Sequence, residues 1–127
     1  MNKPQTADIE KQFIGKQIEV CRLYNAPYIA SPFDKIAGIA RRSFDDKTNM
    51  PINGLRLPVE NEQSANWYIW AGEYSEADDF FEPVHLYHLI DFCPNALKFL
   101  GLAPGWRFLF DDKGYEDVWH DEQLLNT

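Results

Sequence analysis

Glu82, His85, His88 and Asp91 recur every three residues, and two imidazoles flanked by carboxylates are a donor set that zinc accepts. On a helix that spacing lays all four along one drifting stripe. Helical zinc pairs, however, place their histidines at i and i+4 with a glutamate beside the first. Here the step is i+3, and no further Cys or His lies close in sequence. Exposed histidines on a helix surface account for the pattern, so no metal and no cofactor is assigned. Nucleophilic chemistry has less support. A nucleophile needs a base and a preorganised oxyanion site, and Ser31, Ser43, Ser64 and Ser75 sit in no Gly-x-Ser-x-Gly setting. Cys21 and Cys93 have apolar neighbours that quiet a thiol. Gly101 and Gly105 stand around prolines, not at a strand-to-helix phosphate loop. Carboxylate pairs are abundant, but an acidic surface supplies pairs by chance. No catalytic residue is assigned.

The elements that would carry these groups follow from periodicity. Residues 5–23 read as a helix, with Thr6 able to cap it and Asp8 and Glu10 in its first turn. Ile9, Phe13, Ile14, Ile18 and Cys21 form its apolar stripe, and Asn25-Ala26-Pro27 ends it. Residues 35–44 predict a short strand. Ile52 to Val59 predict a second, with Asn53-Gly54 a bend near its start and Pro58 limiting its end. Residues 60–66 read as a polar loop. Residues 67–71, WYIWA, are a strand with both faces apolar, hence central or covered. Gly72 opens an acidic loop. Glu82-Pro83 then starts a helix running to about Phe92, and a second short helix, Asn95 to Leu100, stops at Gly101 as a left-handed terminator. Trp106–Phe110 and Tyr115–Trp119 close the chain as a β-hairpin around a glycine-bearing turn.

These elements predict an α+β domain. Its antiparallel sheet has about four to five strands, an N-terminal helix and a central pair of short helices, and it ends in the hairpin. The 127 residues suffice for one domain with its own core, residues 1–34 being a helical extension ahead of residues 35–127.

Charge is unevenly placed. Residues 51–127 hold fourteen Asp or Glu against four Lys or Arg, while residues 1–50 hold six against eight. All four tryptophans lie in the acidic half. This balance disfavours nucleic acid and anionic membrane surfaces as partners and favours a basic protein. No apolar run approaches the ~20 residues of a membrane helix. The N-terminal stretch has no apolar signal core, and two cysteines make no disulfide framework, so a cytoplasmic protein is expected. The candidate footprint is the loop Glu73, Tyr74, Glu76, Asp78, Asp79, Phe80 and Glu82, where carboxylates steer and aromatics, Phe81 included, anchor. A second set, Glu116, Asp117 and Trp119, sits on the last strand; Asp111 and Asp112 beside it are explained as turn residues.

The block from Gly54 to Leu125 combines GLRLP, the strand NWYIWAGE, an acidic loop, CPNALKFLGLAPGWRF and the closing YEDVW. It resembles immunity protein family 33, small domains of bacterial polymorphic toxin systems. Ala71-Gly72-Glu73 and Phe99 to Gly105 carry the likeness. The resemblance implies a non-enzymatic protein that neutralises a cognate toxin by binding it, and transfers no site residues. Two other classes stand beside it: a small metal-dependent enzyme using His85 and His88, and a housekeeping interaction module. The oligomeric state is not specified by the sequence.

Overall fold

The computed structural model describes residues 6–58 and 62–126, with side chains from Asp8 onward. Its first element, α1 (Thr6–Leu23), carries Asp8 in the first turn and Arg22 in the last, each sign matching the helix dipole. It ends where Asn25 adopts a left-handed φ of 54° and the Ala26 N–H returns to the Cys21 carbonyl at 2.8 Å. The side chain of Thr6, expected as the cap, lies outside the described residues.

The buried stripe of α1 differs from the expected one. Ile9 and Phe13 pack on the core with Val20, Cys21 and Tyr24, but Ile18 is 39% exposed. At 100° per residue the place one turn beyond Phe13 belongs to Gln17. That side chain is 2% exposed and its amide donates to the Leu97 carbonyl at 2.9 Å. A buried amide is tolerated because it is paired.

Among the described residues six strands follow: β1 (Ile36–Ile39), β2 (Ile52–Arg56), β3 (Ser64–Ala71), β4 (Glu82–His85), β5 (Trp106–Phe110) and β6 (Glu116–His120). They form one sheet in the order β4-β1-β3-β2-β5-β6. All neighbours are antiparallel except β1 and β3. The fold is therefore α+β as expected, with one strand more than anticipated.

That strand is β4, where a helix from Glu82 to Phe92 was expected. Only Leu86–His88, as a 3₁₀ turn, and α2 (Leu89–Phe92) are helical. Pro83 pairs with Gly38 at the sheet edge, where a residue without an N–H leaves no inner ladder bond unmade. The second predicted helix is a 3₁₀ helix, Pro94–Phe99. Gly101 does not take the left-handed conformation; it makes room for the Tyr28 ring, 2.7 Å from where a Cβ would stand. Asn53-Gly54 is not a bend either. Gly54 sits inside β2 because the Phe108 ring of β5 covers it, and an added Cβ would collide with that ring. The polar loop is shorter than expected: β3 begins at Ser64, and Val59, Glu60 and Asn61 lie outside the described residues.

Strand alternation assigns the two sheet faces. Ile52, Arg56, Trp67, Ile69, Phe108, Phe110 and Val118 point to the side covered by α1 and the short helices. Phe99 stacks on Phe108 at 4.6 Å and Trp67 meets Phe108 at a tilt at 5.5 Å, forming the centre of that core.

Candidate functional site

The residues between those buried positions build the other face. Gly38 of β1, Tyr68 and Trp70 of β3, Leu55 of β2, Arg107 of β5 and Trp119 of β6 lie on it, with Gly38, Tyr68, Leu55, Arg107 and Trp119 in one cross-strand row. Among the described residues no helix covers this row. One end is instead roofed by the acidic loop that follows β3.

The loop leaves the strand at Gly72, whose φ of 73° turns the chain back over the sheet. A local turn, with the Phe80 N–H donating to the Ala77 carbonyl at 3.0 Å, then brings two phenylalanines inward. Phe81 stands edge-on to Tyr68 at 5.2 Å and to Trp70 at 5.9 Å. Tyr74 meets Trp70 at 5.4 Å and Phe80 at 5.7 Å, and Phe80 meets Phe81 at 4.8 Å. Edge-to-face pairs of this kind contribute roughly 0.5–1.5 kcal/mol each beyond buried area. Gly38 admits the Tyr68 ring, since a Cβ there would lie 2.8 Å from it.

The result is a five-ring cluster whose outermost member, Tyr74, is 58% exposed. Around it Glu73, Glu76, Asp78 and Asp79 are all exposed. Their one ion pair within the chain among the described residues is Arg42 with Asp79 at 4.0 Å. Both side chains are more than four-fifths exposed, so that pair contributes little.

The far end of the face is built differently. The Arg107 guanidinium lies over the Trp119 ring at 5.5 Å and pairs with Asp121 at 3.2 Å. Trp119 is thereby half-buried on its strand. Asp117 is exposed, and its carboxylate accepts the Val118 N–H at 2.9 Å, which occupies a donor on the edge strand.

Two predicted residues fall on the opposite side. Glu82 shares the orientation of buried Val84 and borders a cleft of about 330 Å³ with Arg41, Arg42 and Phe92. Glu116 points toward α1. It accepts from the Tyr24 hydroxyl at 2.8 Å and from Lys98 Nζ at 2.8 Å, pinning the hairpin to the helix and to the 94–99 segment. This carboxylate also borders an open groove of about 850 Å³ between α1, that segment and the hairpin turn.

Burial pushes the Glu116 carboxyl up, but the bonds from Lys98 and Tyr24 and the charge of Lys98 outweigh it, leaving the group below its usual range. Tyr24, desolvated and donating to that carboxylate, is pushed up to about 12. A lowered carboxyl stabilises the fold fully above its unfolded pKa, and the contribution is lost as pH falls through the folded value. Glu116→Gln is therefore expected to lower stability by about 1 kcal/mol, roughly 3–5 °C in Tm, near neutral pH. The gap from the wild type should begin to close as pH falls below the ordinary carboxyl value of about 4.5 and should vanish only below the lower folded value. Thermal melts from pH 3 to 7 check this; a gap that is constant across the range would mean the carboxylate charge plays no part.

The histidine stripe loses Glu82 to the core side, because β4 is extended where a helix was expected, while His85 and His88 stay neighbours with ring centroids 6.4 Å apart. His85 Nδ1 lies 2.8 Å from the Asp34 carbonyl and its ring stacks on Tyr87 at 5.4 Å, while His88 faces Asp91 at 3.9 Å. Among the described residues, no three His, Cys, Asp or Glu converge as metal ligands. Both thiols are buried and free. Burial raises the pKa of Cys21 and takes Cys93 to about 11, so neither is a ready nucleophile. No helix among the described residues is long and apolar enough to cross a membrane.

Fold and site together define a small α+β domain with one sheet face left to an aromatic, acid-fringed loop. Residues 16–121 match the family model described as Imm33-like domain, and the chain belongs to that family, which is of the immunity-protein type. The match begins inside α1 and ends just past β6. No curated protein and no solved structure matches the chain.

The loop residues Glu73, Tyr74, Glu76, Asp78, Asp79 and Phe80 are thus brought together, whereas Asp117 and Trp119 stand at the far edge of the same face. Tyr68 and Trp70 were readable only as an apolar second face of β3. Arg42 had no sequence signal linking it to the loop.

Proposed function

We propose that the chain is a cytoplasmic immunity protein that binds a basic, co-produced toxin and blocks it without turnover, through the open face of its sheet. Membership of the Imm33-like family supports the role. The observation that carries the choice of surface is Tyr74, 58% exposed at the crest of a five-ring cluster, on a loop that also carries four exposed carboxylates. In this reading the carboxylates raise the encounter rate and Tyr74 and Phe80 fill a pocket on the toxin. Asp117 and Trp119 form the outer rim. Glu82 and Glu116 lie outside the footprint.

Occlusion suits a toxin that acts on nucleic acid, since such an active site must be positive to hold phosphates. The test is expression of the adjacent toxin gene with and without this chain. The toxin alone should arrest growth, and co-expression should restore it with a complex that survives purification. A harmless neighbour, or a lethal one that the chain neither rescues nor binds, would overturn the proposal.

A further inference from the structure

The face of α1 turned away from the core carries a charge pattern that the toxin-binding reading does not use. Asp8, Lys11, Gly15, Ile18, Glu19 and Arg22 are all exposed, and helical spacing sets them along one stripe. Among the described residues none of the four charged side chains is in an ion pair. At the centre stands Gly15, with nothing within 4 Å of where its Cβ would be. Glycine in a helix interior lowers helix stability, and neither a turn nor a neighbour in the chain explains this one.

The stripe is self-complementary. Reading outward from Gly15, Lys11 and Glu19 lie four residues away on either side and Asp8 and Arg22 seven. The order is acid, base, glycine, acid, base, so its reverse places each charge against its opposite. We propose that α1 pairs antiparallel with the α1 of a second copy, about a two-fold axis at Gly15.

In that arrangement Asp8 meets Arg22 of the second copy and Lys11 meets its Glu19, each contact occurring twice. The missing side chain at position 15 lets the helix axes approach, and the two copies of Ile18, 39% exposed in one chain, are covered beside it. The seam is electrically balanced on a chain of net charge −8, which selects a second copy over a basic protein as its occupant. An 18-residue helix is about 27 Å long, so the contact is at or below the small end of specific interfaces and the dimer is concentration-dependent. Because α1 packs on the opposite side of the sheet from the aromatic loop, both toxin-binding faces stay free.

Sedimentation equilibrium of the full chain over a wide concentration range tests this. The wild type should dimerise. Lys11→Glu with Arg22→Glu makes the stripe wholly acidic, and Asp8→Lys with Glu19→Lys makes it wholly basic. Each variant alone should dimerise at least about 10-fold more weakly, and their equimolar mixture should form a mixed dimer. Gly15→Gln should raise Tm while weakening the dimer, which separates folding from association. A wild type that stays monomeric throughout, or reversed variants that fail to complement each other, would overturn the pairing. A stripe shielded only when toxin is added would assign it to the toxin instead.

Discussion

Truncating Tyr74 to alanine should weaken toxin capture by about 2 kcal/mol, roughly 30-fold, mostly as faster dissociation. Tyr74 stands at the crest of the ring cluster and more than half of it is exposed, so the sheet beneath keeps Trp70, Phe80 and Phe81 in contact without it. Reversing Glu76 and Asp79 to lysine should act on the other rate. Association at low salt should slow by roughly 10- to 100-fold, with the effect fading toward molar salt as the field is screened. Surface plasmon resonance at two ionic strengths separates the two contributions, and unchanged far-UV circular dichroism shows that the fold is intact. If both variants capture toxin at wild-type rates, the loop is not the footprint; the rim at Asp117 and Trp119 is then the next surface to alter.

The loop was visible in the sequence because its anchors and its charges are neighbours along the chain. Strand β3 and the closing hairpin were visible because aromatic and β-branched residues alternate between polar brackets. What escaped depends on partners distant in the chain. Glu82-Pro83 reads as a helix start by local rules, and only its place at the sheet edge, beside β1, makes it a strand. Gly54 reads as a turn residue until the Phe108 ring covers it. Gln17 reads as a surface residue until the Leu97 carbonyl reaches it. Glu116 and Asp117 are adjacent acids, yet pleating sends one to α1 and the other to the open face. That split can be read only after the burial of Val118 has marked the core side.

Arg56 belongs to the same class, and its replacement by methionine should be strongly destabilising. The residue is 2% exposed, with its guanidinium on the core side of β2 over the Trp67 ring at 5.8 Å. Among the described residues it donates to four backbone carbonyls: Ala65 at 3.2 Å, Ile29 at 2.8 Å, Leu102 at 2.7 Å and Ala30 at 3.1 Å. These tie β3, the 28–31 segment and the turn after the 94–99 helix to one side chain. Burial lowers the group from its ordinary 12.5 to about 10, still protonated at neutral pH. That desolvation is set against four hydrogen bonds from a charged donor. The bonds outweigh the desolvation. Methionine would recover the desolvation but leave the carbonyls without donors, for a net loss of about 3–5 kcal/mol and roughly 10–20 °C in Tm. Arg56→Lys keeps the charge but not the planar fork, and should fall between. Urea and thermal unfolding read both variants. A methionine variant as stable as the wild type would mean that water takes over those carbonyls and that Arg56 is not the tie between the segments.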